Sequence, residues 1–223
     1  MPVNVEVLRQ IPLFASLLPQ DLNEVAAVTR IHRYKRGDLI ILEGDLGGGL
    51  QYVHSGLVKV FKLSIEGKEQ VLRVVAAGHT FNDVPVLDGG PNPASAAALE
   101  PSIIYVIRRA ELSMLIATRP EVAQAVVQTL ASRLRHLVAL VEDLSLRPVI
   151  ARVAKILLDQ EASLQEGYPL YRLTQQEMAA LAGTAREVVG RALKEVEVAG
   201  AIEMRRGRIV IVNREQLLLL VSG

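Results

Sequence analysis

The sequence predicts an α+β chain: a small antiparallel β-barrel or jelly roll near the N-terminus, one long helix, and a winged helix-turn-helix at the C-terminus. Three observations predict it. From Ile31 to about Phe81, Ile- and Val-rich runs are cut by Gly37, Gly44, Gly47 to Gly49, Gly56, Gly67 and Gly78, and short strands with evenly spaced turn glycines suit a barrel or jelly roll. The stretch PEVAQAVVQTLASRLRHLVALVEDLSL, residues 120–146, repeats its apolar residues at alternating steps of three and four, the period of a coiled-coil seam. Leu173 to Ile202 divides into two helical patterns at Gly183. The expected boundaries are 1–118 for the β part, 119–147 for the long helix and 148–223 for the winged part. A chain of 223 residues, 50% hydrophobic and 22% charged, has material for two cores.

Taken in order, Leu8 to Thr29 gives two short helical patterns, IPLF and then SLLPQDLNEVAAV, where Pro19 sits near a start and Asp21 and Glu24 enrich the first turn. The strand region follows. On the long helix, which Pro120 opens, Val127, Leu130, Leu134, Leu137, Val141 and Leu144 form an a/d seam with Leu at every d position, a pattern that favours a parallel homodimer. Packing of the same stripe on the chain's own β part is the alternative. Arg147-Pro148 breaks the helix and is the expected hinge, because a residue before proline avoids the α region. Pro148 can open the next helix, Val149 to Gln160, with Val149, Val153, Ile156 and Leu157 on its apolar side. The polar and Gly-Pro segment Glu161 to Pro169 is expected to connect it onward. Ala201 to Val212 alternates as a hairpin around Arg206-Gly207, and Asn213 to Val221 reads as a capped, apolar helix packed on the wing domain.

The two helical patterns around Gly183 carry the chemistry. Thr174, three residues before Glu177, makes a capping box that opens a helix with Met178, Leu181 and Ala182 on its apolar side. The second helix has Val189, Leu193 and Val196 on one side and Arg186, Glu187 and Arg191 on the other. A helix-turn-helix lays its second helix in the major groove of double-stranded DNA with N-terminal residues at the base edges. Arg matches the two acceptors of guanine, and Glu accepts from the amino group of cytosine. Against this stands an ordinary reading, since Glu187 and Arg191 are four apart and such pairs often form only a solvated helix face. Arg205, Arg206 and Arg208 on the wing, with Thr174, are expected to serve phosphates rather than bases.

These residues also resemble the DNA-binding domain of the Crp/Fnr superfamily of bacterial transcription regulators, whose motif runs hydrophobic-T-x-Q-E and then G-x-x-R-E-T-V-x-R. This chain has LTQQE and then GTAREVVGR. The resemblance implies that Arg186, Glu187 and Arg191 read a TGTGA-like half-site, that a homodimer binds an inverted repeat, and that RNA polymerase is a further partner. Twofold symmetry would set the two recognition helices about 34 Å apart. One departure bears on the register: the family's usual Ser/Thr cap is Ala185 here, with Thr184 one residue earlier. If Thr184 caps the helix, Glu187 becomes the third helical residue and can fold back as the capping carboxylate.

Upstream, RGDLIILEGD, YVHSGLVKVF and EGKEQVLRVVAAGHTF resemble the cyclic-nucleotide-binding β-roll, with its K-G-D, E-G-D, Y-x-V-x-S-G-x-V-x-V and G-x-E elements. Gly78 to Leu99 would be its ligand-facing cassette. Where cyclic-nucleotide members place G-E and R-S, this chain reads Asn82, Asp83, Pro93 and Ala94, and no Arg or Lys lies between Arg73 and Arg108. A cyclic phosphate would lack its charge-assisted clamp, so cyclic AMP is disfavoured. At the positions of the hydroxyl residues that reach the base stand Leu137 and Val138, so the occupant is expected to be apolar or flat. GHTF before a Pro-containing loop looks more like the branch responding to oxygen, nitric oxide or denitrification, some of whose members resemble heme sensors. The effector pocket is therefore expected among His79, Phe81, Asn82, Asp83, Leu137 and Val138. Heme, if bound, would be non-covalent with His79 as axial ligand, since there is no Cys-x-x-Cys-His. A lone histidine beside a turn is more commonly a surface residue, and a regulator with no effector is the other alternative.

Composition narrows the rest. The chain has no cysteine, which excludes a thiolate-ligated iron–sulfur cluster, a thiol switch and a disulfide. A net charge of +1 supplies no global pull toward nucleic acid or anionic lipid, so the basic footprint is local, around Arg186 to Arg214. No signal peptide or membrane-spanning run is evident, and a cytoplasmic protein is expected. No nucleophile elbow, phosphate loop or metal-ligand spacing appears, so an enzyme is not expected.

Overall fold

The computed structural model describes residues 3–165, 173–205 and 208–222. The chain divides into two compact units, residues 1–62 with 72–135 and residues 63–71 with 136–223.

The first unit opens with α1 (Val5–Arg9), where the Asn4 side chain accepts from the Glu6 amide at 3.0 Å, then a 3-10 turn (Pro12–Phe14) and α2 (Pro19–Val28). Eight strands follow: β1 (Arg30–Tyr34), β2 (Leu39–Ile41), β3 (Leu50–Ser55), β4 (Leu57–Leu63), β5 (Glu69–Ala76), β6 (Thr80–Phe81), β7 (Ser95–Ala98) and β8 (Ser102–Ile107). They form two four-stranded sheets, ordered β1-β8-β3-β6 and β2-β7-β4-β5, a jelly-roll arrangement as expected. Ile41, Val53, Val58, Val75, Phe81 and Ile104 fill the space between the sheets. A second core packs Leu8, Phe14 and Leu22 of the N-terminal segments with Tyr52 and Ile107 of the sheet.

One glycine is required by this packing, since a β carbon on Gly49 would stand 2.5 Å from the Ile107 carbonyl oxygen. Strand β7, Ser-Ala-Ala-Ala, is buried throughout between β2 and β4. Alanine has weak strand propensity, which is why this stretch read as part of a loop cassette rather than as a central strand. Between β6 and β7 lies α3 (Asp83–Asp88); after β8 come α4 (Arg109–Thr118) and the long α5 (Pro120–Leu146).

The second unit holds α6 (Val149–Gln165), α7 (Gln175–Ala182), α8 (Arg186–Val198), the hairpin β9 (Ile202–Arg205) and β10 (Arg208–Ile211), and α9 (Arg214–Ser222). Helix α6 runs past the expected end at Gln160 into the stretch read as a connection, because no glycine or proline interrupts it before Gly167. The remainder of that connection, Tyr168 and Pro169 included, lies outside the described residues. At the junction before Pro148, the Arg152 guanidinium donates to the Arg147 carbonyl at 2.8 Å, satisfying an acceptor that the broken helix leaves over. Val153, Leu157, Met178, Val189, Leu193, Val196, Ile202 and Leu217 form one buried cluster. Asn213 caps α9 by accepting from the Gln216 amide at 3.0 Å, and Leu217 is fully buried while Leu219 is exposed. No helix among the described residues is long and apolar enough to cross a membrane.

Candidate nucleic-acid interface

Helix α7 begins as its sequence requires. Thr174 Oγ1 accepts from the Glu177 amide, and the Glu177 carboxylate accepts from the Thr174 amide. Gly183 ends the helix at φ +64°, a left-handed conformation that disfavours side chains. Helix α8 then starts with Ala185 as its cap residue, without a side-chain cap. Arg186 is thus the first helical residue and Glu187 the second. The alternative register, with Thr184 capping and Glu187 folded back, is not adopted.

Val189, Leu193 and Val196 are buried against the rest of the second unit, each worth about 1.5–3 kcal/mol of burial. That anchoring turns the other side outward. Arg186, Glu187 and Arg191 are all exposed, and among the described residues none of their side chains enters an ion pair or hydrogen bond. The expected i,i+4 pair between Glu187 and Arg191 is therefore not made. Two guanidiniums and one carboxylate stand unneutralised on one arc at the start of the helix, with Lys194 exposed beside them. Such an arrangement can offer bidentate donors to guanine and an acceptor to cytosine.

The wing is tied to α8 by the Met204 amide, which donates to Glu197 Oε1 at 2.9 Å. Arg205 is exposed but paired with Glu203 at 2.7 Å, so its charge is partly offset. Arg208 is exposed, and Arg206 lies outside the described residues.

On α5 two faces separate. Val122 and Val126 are buried. Val127, Leu134 and Val141 are 63–65% exposed, Leu130 and Leu137 are 36% and 44% exposed, and Leu144 is half-buried. The seam is thus an uncovered apolar stripe, distinct from the helix's packed side.

Of the expected effector residues, His79, Phe81, Asn82 and Asp83 belong to the first unit and Leu137 and Val138 to the second. His79 is exposed, its Nδ1 lying 3.2 Å from the Ala77 carbonyl. Phe81 is core, 2% exposed. Asn82 holds φ +63°, the only positive value at a non-glycine among the described residues, and its amide donates to the Gly49 carbonyl at 3.0 Å. Leu137 and Val138 are exposed on α5.

Asp83 is different: it is 5% exposed and ion-paired with Arg133 of α5. Arg133 also donates to the Thr80 carbonyl at 2.8 Å and to Thr80 Oγ1 at 3.0 Å, and Arg73 of β5 donates to the same carbonyl. Burial, and then the charge of Arg73, pull Arg133 down to about 9, still charged at neutral pH. Burial likewise lowers Arg73.

Two expectations are corrected here. The cassette does hold cationic groups, which arrive from β5 and α5 rather than from its own loop, and its interior is ionic rather than purely apolar. A scan for basic residues within the cassette could not find them. A signal was present, since Val122, Val126 and Arg133 fall at helical steps of four and seven on the packed side of α5.

Comparison with known proteins agrees with this division. The family description "Cyclic nucleotide-binding domain" matches residues 31–119, and "Crp-like helix-turn-helix domain" matches residues 151–220. The chain is 34% identical over 209 residues to a cyclic AMP receptor protein of Thermus thermophilus, covering 93% of this chain and 94% of the relative. It is 30% identical over 217 residues to a CRP-like cAMP-activated global transcriptional regulator of Mycobacterium tuberculosis, covering 95% and 97%. The solved structure of FixK2 from Bradyrhizobium japonicum shares the fold at a TM-score of 0.74 and 23% identity, over 88% of this chain and 98% of that one.

Proposed function

The chain belongs to the Crp/Fnr family of transcription regulators, and from that premise we propose that it works as a homodimer on an inverted-repeat, TGTGA-like site. It is a DNA-binding regulator rather than an enzyme. In the proposed arrangement residues 1–118 sense, 119–147 dimerise through the Val127 to Leu144 seam, and 148–223 bind DNA. Arg186, Glu187 and Arg191 read bases, while Thr174, Arg205, Arg206 and Arg208 steady the phosphates. RNA polymerase is the further partner of the bound dimer.

The observation that carries this reading is the uncompensated trio on α8. A guanidinium and a carboxylate four residues apart that do not pair with each other are poised for an external partner. The experiment is selection of bound sites from a random duplex pool, followed by affinity measurements on single variants. Arg191→Ala should cost about 1–3 kcal/mol and relax one base position, whereas Arg208→Ala should weaken all sequences evenly and flatten the salt dependence. An Arg191→Ala protein that binds the selected operator as tightly as the parent rejects the base-reading assignment.

For the sensing unit, the Asp83 pairing favours a regulator whose cationic groups already have an internal counter-ion. Cyclic AMP would lack the cassette arginine, replaced by Pro93, and would have to displace Asp83 from Arg133. Adding cyclic AMP should leave the thermal midpoint of the protein unmoved. A Soret band after reconstitution with hemin, lost in His79→Ala, would instead establish the heme alternative.

A further inference from the structure

Helices α2 and α4 of the first unit enclose a groove of about 290 Å³ to which none of the expected effector or DNA-contacting residues belongs. Its lining follows from helical spacing. On α2, Asp21, Val25 and Val28 recur at steps of four and three; on α4, Ala110 and Met114, and Glu111 and Leu115, stand four apart, so each helix turns one stripe toward the groove. Val25 and Leu115 are 3% and 4% exposed and continue into the core beneath, whereas Met114 is 50% exposed at the edge. The groove is thus apolar at its base and open along one side.

Three carboxylates border that base. Asp21 is fully engaged by Arg119. Glu24 is exposed and enters no ion pair among the described residues. Glu111, its side chain 14% exposed, pairs with Arg108 through Oε1, but its Oε2 is buried with no hydrogen-bond partner. A buried acceptor without a donor is costly, the more so on a charged group, and native folds supply one from the chain, from water or from a bound partner. Here no described residue supplies it. A cationic donor would match the local charge, and the apolar walls at Val25, Val28 and Met114 suit the aliphatic stem that carries it.

That combination fits a lysine or arginine beside an aliphatic residue on one face of a helix, the helix-in-groove mode of recognition. A free small molecule would fill such an open groove poorly, since small-molecule sites bury most of their ligand's surface. A nucleic-acid phosphate would meet carboxylates of its own sign. We propose that the groove between α2 and α4 docks a basic amphipathic helix of a partner protein, an aliphatic residue seated on Val25 and Leu115 and its Lys or Arg residues paired with Glu24 and Glu111. The site shares no residue with the base-reading face of α8, so either can be lost without the other.

The chain has four methionines, Met1, Met114, Met178 and Met204, of which Met114 lines the groove and Met178 and Met204 belong to the second unit. Full-length protein with isotope-labelled methionine methyl groups is titrated, under NMR observation, with a stapled helical peptide bearing one Leu per turn flanked by Lys and Arg. A counterpart with Glu in place of every Lys and Arg serves as the second probe. The basic peptide should shift the Met114 resonance saturably while Met178 and Met204 stay in place, and the acidic peptide should shift none of the three. Glu24→Gln combined with Glu111→Gln should weaken the basic peptide about tenfold. Ala110→Lys, at an exposed residue of the groove, should abolish the shift and gives the readout if the glutamine variant is unstable. The proposal is overturned if the basic peptide at about 1 mM leaves Met114 unmoved, if the acidic peptide binds equally well, or if the variants bind like the parent.

Discussion

Thr174 and Glu177 cap one another: the threonine hydroxyl accepts from the Glu177 amide at 3.2 Å, and the Glu177 carboxylate accepts from the Thr174 amide at 2.7 Å and from its hydroxyl at 2.8 Å. This closed ring fixes the first turn of α7, and α7 in turn contributes Met178 and Ala182 to the core on which α8 sits. Replacing Thr174 with Ala removes the acceptor for one orphan amide and the donor to the carboxylate. It should cost about 1 kcal/mol, read as a lowered midpoint in urea unfolding. Thr174→Ser, which keeps the hydroxyl, should retain most of the parent's stability, and equal losses in both variants would show that the methyl, not the cap, matters.

The exposed stripe on α5 gives a sharper test of assembly. Leu134 is 64% exposed in the single chain, so Leu134→Asp removes little packing within one protomer and should leave its secondary structure and cooperative unfolding intact. In a parallel coiled coil the same change buries two carboxylates against each other, which is strongly unfavourable. Sedimentation equilibrium should find the parent at twice the chain mass of 24.3 kDa and the variant at or near that mass. A parent that sediments as a monomer removes the dimer reading altogether.

Much of this architecture was legible because it rests on local chemistry. The capping box, the Gly183 stop and the alternation of Val189, Leu193 and Val196 with Arg186 and Arg191 are all short-range patterns, and the structure keeps them. What was hidden depends on distant pairings. Arg133 stands 50 residues from Asp83 in the chain, and only the docking of α5 on the β-roll brings the two together. Likewise Ser95 to Ala98 becomes a strand through its neighbours β2 and β4, which a low-propensity alanine run cannot announce. The start of α8 was open in the sequence because Thr184 and Ala185 are adjacent candidates, and the backbone chose the residue without a capping group.

The Asp83 and Arg133 pair should behave as a buried unit. Arg133→Met leaves the buried Asp83 carboxylate beside the Thr80 hydroxyl without its direct partner, and breaking such a pair typically costs about 3–5 kcal/mol. Adding Asp83→Asn to that variant removes the stranded charge and should recover a large part of the loss. Urea unfolding of the parent, both single variants and the double variant forms a complete cycle. Additive losses would mean that the two side chains contribute independently and that the pair is not a unit.

A second ion pair sets a pH dependence whose direction can be worked out. Arg119, at the end of α4, holds the buried Asp21 carboxylate of α2 by two bonds, Nε to Oδ2 at 3.0 Å and Nη2 to Oδ1 at 2.6 Å. The Arg119 hydrogen bonds hold Asp21 below its usual value of 3.8, despite the opposing effect of burial. A carboxyl group whose folded value is depressed contributes stability that is present above its unfolded value and is lost as pH falls through the folded one. Asp21→Asn should therefore lower the thermal midpoint at pH 7, and the gap from the parent should hold down to about pH 5, then close as both proteins are acidified further. Midpoints measured at intervals from pH 7 to about pH 2 trace that closure. A gap that stays constant over the whole range would assign the loss to packing at Asp21, because a neutral group has no proton to take up.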